Sequence, residues 1–170
     1  MMEEQVILVD ENDGEIGTMG KMQAHREGKL HRAISVFIFN SKGEWLLQKR
    51  AEGKYHSGGL WTNACCSHPR AGEETHAAAV RRLKEEMGLQ CELKFLLSFQ
   101  YKAEVGNELT EHELDHVFSG ITDSVPQPDP SEISEWKYID PEKLREQLEE
   151  YPEQFTAWFR LIFPKLSERI

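Results

Sequence analysis

The chain has 170 residues, the usual size of one domain, so a single domain over residues 1–170 is predicted. Its formal net charge of −10 argues against a nucleic-acid partner, which would need a basic surface. No apolar run approaches the roughly 20 residues of a membrane span, and the first residues are acidic rather than typical of a signal peptide. Cys65, Cys66 and Cys91 are odd in number and two are adjacent, which favours reduced thiols over disulfides. We therefore expect a cytoplasmic protein without a membrane partner.

The N-terminal half is predicted to be rich in strands, because short apolar runs flank polar, glycine-containing turns. The runs form two predicted hairpins, with strands at 6–9 and 15–18 and at 33–39 and 45–49. A helix is predicted over 73–87, where apolar residues recur at helical spacing and Gly88 is placed to end it.

The C-terminal half is predicted to add three strands and two helices. The strands are predicted at 95–101, 112–121 and 135–139, with a proline-rich loop at 126–130 before the last. The helices are predicted at 141–150, with a proline in its first turn, and at 155–166, with one apolar stripe. The pattern as a whole predicts a mixed α+β fold.

Three histidines and two carboxylates are candidate metal ligands, since none of these histidines belongs to a clear apolar periodicity. Glu111 and Glu113 are two residues apart near the start of a predicted strand, which places both carboxylates on one face. Mixed nitrogen and oxygen donors suit Mn²⁺, Mg²⁺ or Zn²⁺. With seven histidines in the chain, chance groupings are common, and a surface or structural histidine is the alternative at each position. The candidates are His25, His31, His68, Glu111 and Glu113.

Cys66 is a candidate reactive thiol, because a histidine and a proline follow it in the segment Ser67-His68-Pro69. Cysteine commonly packs as a small buried hydrophobe, and from the residues alone this alternative stays open. Neighbouring residues of an extended segment point to opposite sides, so only one of Cys65 and Cys66 can face a site.

Four basic residues are candidates for binding an anion. Arg82 and Glu86 are four residues apart and share a helix face, either as a solvated ion pair or as a phosphate-binding cation beside a metal-binding carboxylate. Lys21, Arg50 and Lys54 lie in loop-like or strand-end segments, where each alone is compatible with an ordinary surface charge. Converging cations in so acidic a chain favour an anionic ligand.

Residues 67–89 resemble the Nudix box, which runs Gly, five residues, Glu, seven residues, then Arg-Glu-apolar-X-Glu-Glu-X-Gly-apolar. Two positions depart from that pattern. Ser67 stands at the glycine, and Arg82 stands at the first glutamate of the Arg-Glu pair, which in Nudix hydrolases helps to gather the catalytic magnesium. A cation at that position weakens the case for pyrophosphate hydrolysis.

The same departures, with several further motifs, resemble the type I isopentenyl-diphosphate isomerases from about residue 6 to residue 166. The resemblance implies a single-domain, Nudix-like α/β/α sandwich with a mixed sheet. It also implies that the chain isomerises isopentenyl diphosphate to dimethylallyl diphosphate in isoprenoid biosynthesis. The further motifs are Leu30-His31, Trp61-Thr62-Asn63, Cys66-Ser67-His68-Pro69, Glu111-His112-Glu113 and Trp158-Phe159-Arg160.

The resemblance also implies a role for each candidate residue. Cys66 and Glu113 would be the acid and base, with Tyr101 and Trp158 beside the substrate and Cys65 in packing. The metal site would be His25, His31, His68, Glu111 and Glu113, and the diphosphate contacts would be Lys21, Arg50, Lys54 and Arg82. A Mg²⁺ bound with the diphosphate would touch Glu86 and the backbone carbonyl of Cys66. The expected cofactors are thus Mg²⁺ and a second divalent ion, Mn²⁺, Mg²⁺ or Zn²⁺, with no flavin; the oligomeric state and the acid of the pair stay open.

Two other functions compete with isomerisation. A Nudix hydrolase acting on nucleotide or other diphosphates shares the fold but needs a carboxylate where Arg82 stands. A catalytically silent metal- or ligand-binding module of the same fold is the second alternative, because fold does not dictate function. The joint presence of Cys66, Glu113, Tyr101 and Trp158 argues against a silent module.

Overall fold

One mixed β-sheet organises the computed structural model, which describes residues 3–168. The ends of the predicted domain, residues 1–2 and 169–170, lie outside the described residues. In chain order the elements are β1 (Gln5–Val9), β2 (Glu15–Gly20), α1 (Lys21–Glu27), β3 (His31–Phe39), β4 (Trp45–Arg50), β5 (Trp61–Thr62), β6 (Cys65–Ser67), α2 (Thr75–Met87), β7 (Lys94–Glu104), β8 (Thr110–Ile121), β9 (Ile133–Ile139), α3 (Pro141–Glu150) and α4 (Ala157–Ser167), with a 3₁₀ turn at Pro152–Gln154.

Strand β3 is the centre of the sheet. It pairs in parallel with β8 along its whole length and antiparallel with β6 and β1. Ser35 pairs with Cys66 of β6 and also with Val117 of β8, so these two strands lie on opposite edges of β3. The two segments that carry the candidate acid and base therefore flank the same strand from either side.

Both predicted hairpins are present, but they differ in extent. β1 and β2 pair along most of their length. β3 and β4 are joined by their predicted turn yet pair only at Phe39 and Trp45, after which β4 pairs with β9 and β5. The prediction is confirmed at the turn, and the strands then separate because each has other partners.

Helices cover the sheet on both faces, which confirms the predicted α/β/α sandwich. Alternate residues of β3 point to the two layers. Ile34 belongs to the core cluster with Leu83 of α2, whereas Phe37 belongs to the cluster with Phe159 of α4. Because β3 is covered on both sides, it is almost continuously apolar rather than alternating.

Helices α2 and α4 each begin two residues later than predicted. α2 begins at Thr75, and Gly88 ends it as predicted, in the left-handed conformation with φ of 64°. α4 begins at Ala157 because Thr156 caps it, its hydroxyl accepting the backbone N–H of Phe159 at 3.3 Å. Phe155 is buried but precedes the helix. Within residues 3–168, no helix combines the length and hydrophobicity of a membrane span.

Besides the 3₁₀ turn, three short elements were not predicted: helix α1 and strands β5 and β6. They contain seven, two and three residues, too few to show a hydrophobic period. These same elements carry His25, Thr62 and Cys66, so the sequence pattern is least informative where the candidate site is built.

Candidate active site

Alternate residues of β8 place three carboxylates on one buried face. Glu111, Glu113 and Asp115 are 4%, 6% and 1% exposed. The prediction that Glu111 and Glu113 share a face is confirmed, because the Tyr101 hydroxyl reaches both. Asp115, which the sequence reasoning did not single out, accepts a hydrogen bond of 2.6 Å from Ser35.

Four of the five predicted metal ligands meet at one end of this face. His25 of α1, His31 of β3, His68 after β6 and Glu113 each offer a ligand atom, and these atoms lie within 4.8 Å of one another. All four residues are buried. The group therefore has the donors and the spacing to hold a divalent ion.

The orientation of the histidines fits a metal site. His25 Nδ1 lies 2.7 Å from the carbonyl oxygen of Lys21, and His31 Nδ1 lies 2.8 Å from that of Lys29. Donation to a carbonyl places a proton on Nδ1 and turns Nε2 toward the group, where it can bind a metal once it carries no proton. His25 Nε2 is buried without a hydrogen-bond partner among the described residues. An unpaired buried polar atom costs about 1–3 kcal/mol, which a bound cation would offset.

Two histidines contact the carboxylate of Glu113. Its Oε2 lies 3.1 Å from His31 Nε2 and 2.9 Å from His68 Nε2. Burial alone would raise the pKa of Glu113, but the hydrogen bonds from His31 and His68 hold it well below its usual range. Burial opposes a proton on His31, yet the hydrogen bond to Glu113 leaves the pKa of His31 raised. Burial, followed by the charge of His68, lowers the pKa of His25 to about 4.

The fifth predicted ligand, Glu111, lies beside this group rather than within it. The Tyr101 hydroxyl is 2.5 Å from Glu111 Oε2 and 2.5 Å from Glu113 Oε1. A hydroxyl has one hydrogen, so the second contact needs a further proton or a nearby cation. Glu111 forms a second possible metal group with His25 and His56. His56 Nε2 is 2.8 Å from Glu111 Oε1, although not aligned as a hydrogen bond.

Cys65 and Cys66 point to opposite sides of β6, as the alternation of an extended segment predicts. Cys65 is fully buried in the core cluster beneath α2. Cys66 Sγ instead lies 2.9 Å from Trp158 Nε1 and 3.1 Å from Asn63 Oδ1. Burial, followed by the charges of nearby carboxylates, raises the pKa of the Cys66 thiol. The structure therefore gives packing to Cys65 and leaves Cys66 to face the site.

Cys66 and Glu113 line one small cavity together with Tyr101 and Trp158. The space between these side chains is about 20 Å³, roughly enough for one water molecule. Trp158 is 2% exposed and Tyr101 8% exposed, so the walls of the cavity are largely withdrawn from solvent.

The four predicted anion-binding residues converge on a second cavity, which we name the cationic cavity. Cys66 and His68 also line it, so it adjoins the first cavity. Within it, three acidic side chains neutralise the basic ones: Lys21 Nζ is 3.0 Å from Glu4, Lys54 Nζ is 3.1 Å from Glu132 and an Arg82 nitrogen is 2.6 Å from Glu86. Arg50 completes the cationic set, which is Lys21, Arg50, Lys54 and Arg82.

Both departures from the Nudix box meet in this cavity. Arg82 Nε donates to the Ser67 hydroxyl at 2.9 Å, while another nitrogen of Arg82 donates to Glu86 at 2.6 Å. Burial raises the pKa of Glu86 to about 7, even though the charge of Arg82 opposes this. Ser67 and Arg82 thus act together: the serine hydroxyl helps to orient the guanidinium at the position where the Nudix box would otherwise supply a carboxylate.

Several residues that shape the site were missed by the sequence reasoning. His56 and Glu132 lie in irregular segments without a spacing pattern, and Ser35 and Asp115 are hidden within strands that otherwise read as core. Only Asp115 could have been predicted from a spacing pattern. It follows Glu113 by two residues, as Glu113 follows Glu111, so all three carboxylates share one face of a strand.

Comparison with known proteins assigns the class. A family profile described as NUDIX domain matches residues 29–159. A Deinococcus radiodurans structure superposes with a TM-score of 0.81 at 21% identity, covering 95% of this chain and 98% of that chain. The MutT protein from Methanosarcina mazei Go1 gives a TM-score of 0.68 at 20% identity, covering 82% of this chain and 94% of that chain. The protein therefore has a Nudix fold, as predicted.

Curated relatives narrow the class further. A protein of Pectobacterium atrosepticum named isopentenyl-diphosphate Delta-isomerase is 54% identical, over 96% of this chain and 92% of its own length. Isopentenyl-diphosphate Delta-isomerase 1 of Aromatoleum aromaticum is 58% identical, over 92% of this chain and 89% of its own length. The chain belongs to the isopentenyl-diphosphate Delta-isomerase family.

Proposed function

We propose that this enzyme interconverts isopentenyl diphosphate and dimethylallyl diphosphate, a step of isoprenoid biosynthesis, by adding a proton at one carbon and removing one from another. The observation that carries the proposal is the placement of Cys66 and Glu113 on one small, buried cavity beside the cationic cavity. Moving a double bond requires a proton donor and a proton acceptor that both reach the substrate. The two side chains supply these groups.

Opposite positions in the sheet support the pairing of Cys66 with Glu113. β6 and β8 lie on opposite edges of β3, so the thiol and the carboxylate approach the cavity from different strands. A substrate held between them has one titratable group on each side. Tyr101, which contacts Glu113 Oε1 at 2.5 Å, is placed to exchange a proton with that carboxylate.

The walls of the cavity suit a carbocation. Protonating an unactivated alkene produces a tertiary cation, which has to be stabilised and kept from water. Trp158 is almost fully buried, and an aromatic ring facing a desolvated cation is worth about 2 kcal/mol. Trp158 also packs in the core, so the same side chain both supports α4 and lines the cavity. The roughly 20 Å³ of space has to widen when a five-carbon chain enters.

The cationic cavity suits the diphosphate. It is lined by four basic residues, Lys21, Arg50, Lys54 and Arg82. The carboxylates of Glu4 and Glu132 form ion pairs with Lys21 and Lys54, at the positions where phosphate oxygens would bind. An arriving diphosphate replaces carboxylate contacts with charge-assisted contacts to phosphate. We infer that Mg²⁺ accompanies the diphosphate, with Glu86 and the backbone carbonyl of Cys66 as its protein ligands.

A second divalent ion, Mn²⁺, Mg²⁺ or Zn²⁺, is proposed at the histidine and carboxylate group. The orphaned Nε2 of buried His25 supports this assignment. When bound, the ion supplies positive charge that fixes the carboxylates and favours their deprotonated form. The chain's own contribution is to aim the donors through carbonyl contacts and to hold Glu113 at the cavity wall. The proposed ligands are His25, His31, His68 and Glu113, which lie together, and as a fifth Glu111, which lies beside them.

Hydrolysis of a diphosphate is the competing activity, and the contacts of Arg82 oppose it. The guanidinium is held by Ser67 and Glu86, so a cation faces the cavity where hydrolases of this fold use a carboxylate.

We also infer a cytoplasmic location and no nucleic-acid partner. The three free cysteines support the first inference, and the net charge of −10 supports the second.

Turnover in D₂O tests the proposal. Purified protein with Mg²⁺ and Mn²⁺ should convert isopentenyl diphosphate to dimethylallyl diphosphate with deuterium uptake, followed by proton NMR, and should release no phosphate. Phosphate release without isomerisation would favour a hydrolase. Absence of both reactions would favour a binding module.

A further inference from the structure

A buried amide beside the thiol, that of Asn63, has no role in the chemistry described above. Asn63 is fully buried between β5 and β6. Its Nδ2 donates to two backbone oxygens, Val36 O at 3.0 Å and Cys65 O at 2.9 Å. Carbonyl oxygens only accept, so both hydrogens of the amide are committed and the side chain cannot be flipped. Asn63 Oδ1 is therefore fixed on the side of Cys66.

The direction of every hydrogen bond at Asn63 Oδ1 follows from this orientation. The oxygen accepts from the Thr62 hydroxyl at 2.9 Å and from Cys66 Sγ at 3.1 Å. Thr62 Oγ1 in turn accepts from the Thr156 hydroxyl at 3.0 Å. Thr156 Oγ1 accepts the backbone N–H of Phe159 at 3.3 Å. A directed chain thus runs from the first turn of α4 to the thiol, through neutral side chains alone.

A second contact ties the same sulfur to α4. Trp158 Nε1 lies 2.9 Å from Cys66 Sγ, and an indole nitrogen can only donate. The sulfur therefore has an acceptor, Asn63 Oδ1, on one side and a donor, Trp158 Nε1, on another. A third neighbour, Ser35 Oγ, lies farther from the sulfur, at 3.9 Å, and donates to Asp115 at 2.6 Å. Asn63 Oδ1, at 3.1 Å, is therefore the nearer acceptor for the thiol hydrogen.

We propose that Asn63 is a positioning residue for the isomerisation: its fixed amide oxygen accepts the Cys66 thiol hydrogen and, through Thr62 and Thr156, keeps the thiol in register with helix α4. The inference rests on the proposed catalytic role of Cys66. A purely structural role, in which Asn63 only joins β6 to β3 through Val36 O and Cys65 O, is the competing explanation. The two roles differ in what they predict for the thiol hydrogen.

The S–H stretching band of Cys66 distinguishes them. The band is isolated by infrared difference spectroscopy, as wild type minus Cys66→Ala, and the same subtraction is made in each variant. Removing the acceptor in Asn63→Ala should move the band to higher wavenumber, because the hydrogen bond to Oδ1 is lost. An unmoved band in folded Asn63→Ala would overturn the proposal.

Thr62→Val keeps the test decisive where Asn63→Ala fails to fold. The isosteric change removes the second donor to Asn63 Oδ1, so the oxygen should accept more strongly from the thiol and move the band to lower wavenumber. kcat should fall by about 10-fold with KM little changed, because a small error in positioning costs this much. Thr62→Ser, which restores the hydroxyl, should restore both band and kcat. Thr18→Val, on the exposed strand β2, is the matched control and should change neither.

The outcomes separate this inference from the proposed function. A band that stays in place in Thr62→Val, or that moves equally in Thr18→Val, would overturn the positioning role. Full turnover by Cys66→Ala would instead overturn the catalytic role of the thiol. The position of the S–H band is measured without turnover. Failure of the positioning role of Asn63 is therefore distinguishable from failure of the catalytic role of Cys66.

Discussion

The two walls of the small cavity are built by different physical means. Cys66 is held by neutral hydrogen bonds, from Trp158 and to Asn63, on a strand anchored to the core by Cys65. Glu113 is held by charged or metal-binding groups, among them two histidine nitrogens at 3.1 and 2.9 Å. Without bound diphosphate and its Mg²⁺, the thiol wall is therefore expected to depend less on metal and salt than the carboxylate wall does. A proton donor and acceptor in one cavity can be tuned separately when their surroundings differ in this way.

The largest expected effects come from substituting the catalytic side chain of each wall in turn. Cys66→Ala and Glu113→Gln should each lower kcat by about 10³-fold, because each deletes one of the groups that transfer protons. Inorganic pyrophosphate should still bind Cys66→Ala with an affinity near that of wild type, measured by calorimetry in Mg²⁺. Glu113→Gln should in addition lose bound metal, measured by elemental analysis. Equal metal loss in both variants would contradict the difference between the walls.

Metal removal from the substrate-free protein should affect the carboxylate wall and leave the thiol wall unchanged. Chelation should abolish turnover while the S–H band of Cys66 stays where it was. Rebinding of Mn²⁺, followed by calorimetry, should weaken as the pH falls. The pKa of His31 is raised above its ordinary value, so protons occupy a ligand nitrogen at low pH and must leave when the ion binds. An affinity independent of pH would contradict protonation of this wall.

The next effect concerns the cationic cavity that both walls adjoin. Arg82→Gln should raise KM by about 10-fold or more with a smaller change in kcat, because a hydrogen bond to a charged group is worth about 1.5–3 kcal/mol. Arg81→Gln is the matched control, since Arg81 pairs with Glu73 at 2.8 Å and does not line the cavity. Equal increases in KM for the two variants would argue against a diphosphate contact for Arg82.

The smallest effect sharpens the contrast between adjacent cysteines. Cys65→Ala should lower the free energy of unfolding by about 1 kcal/mol, as expected for a small cavity in a packed core. Its kcat should stay close to that of wild type, since Cys65 packs under α2 and faces away from the cavity. Urea unfolding and steady-state kinetics measure the two quantities. Loss of activity in folded Cys65→Ala would mean that Cys65, and not Cys66, is the catalytic thiol.

The sequence predicted those features that depend on a local period. The alternation of extended residues separated Cys65 from Cys66 and placed Glu111 with Glu113, and the structure has both. The helical period located α2 and α4 to within two residues, and the capping hydroxyl of Thr156 accounts for the late start of α4. The meeting of Lys21 with Arg82, or of His25 with His68, is a property of the fold, and only the family resemblance predicted it.

Other features lay beyond local patterns. The buried partners Asn63 and Asp115 acquire meaning only from atoms that approach across the sheet, Val36 O and Ser35 Oγ. His56 lies in an irregular segment and meets Glu111 across 55 residues of chain, where no spacing rule applies. β5 and β6 exist because β4 and β3 offer free edges to them, a tertiary effect that overrides their short length.

The stereochemistry of the proton shift tests the central claim most directly. Isopentenyl diphosphate would carry deuterium stereospecifically at the carbon that loses a proton, and deuterium and tritium in known positions on its terminal methylene. It would be converted in H₂O, and the chirality of the new methyl group and the deuterium kept at the other carbon would be determined. With Cys66 and Glu113 on strands at opposite edges of β3, the proton should be added on one face of the substrate and removed from the other. Addition and removal on the same face would mean that one group performs both transfers, and would contradict the account.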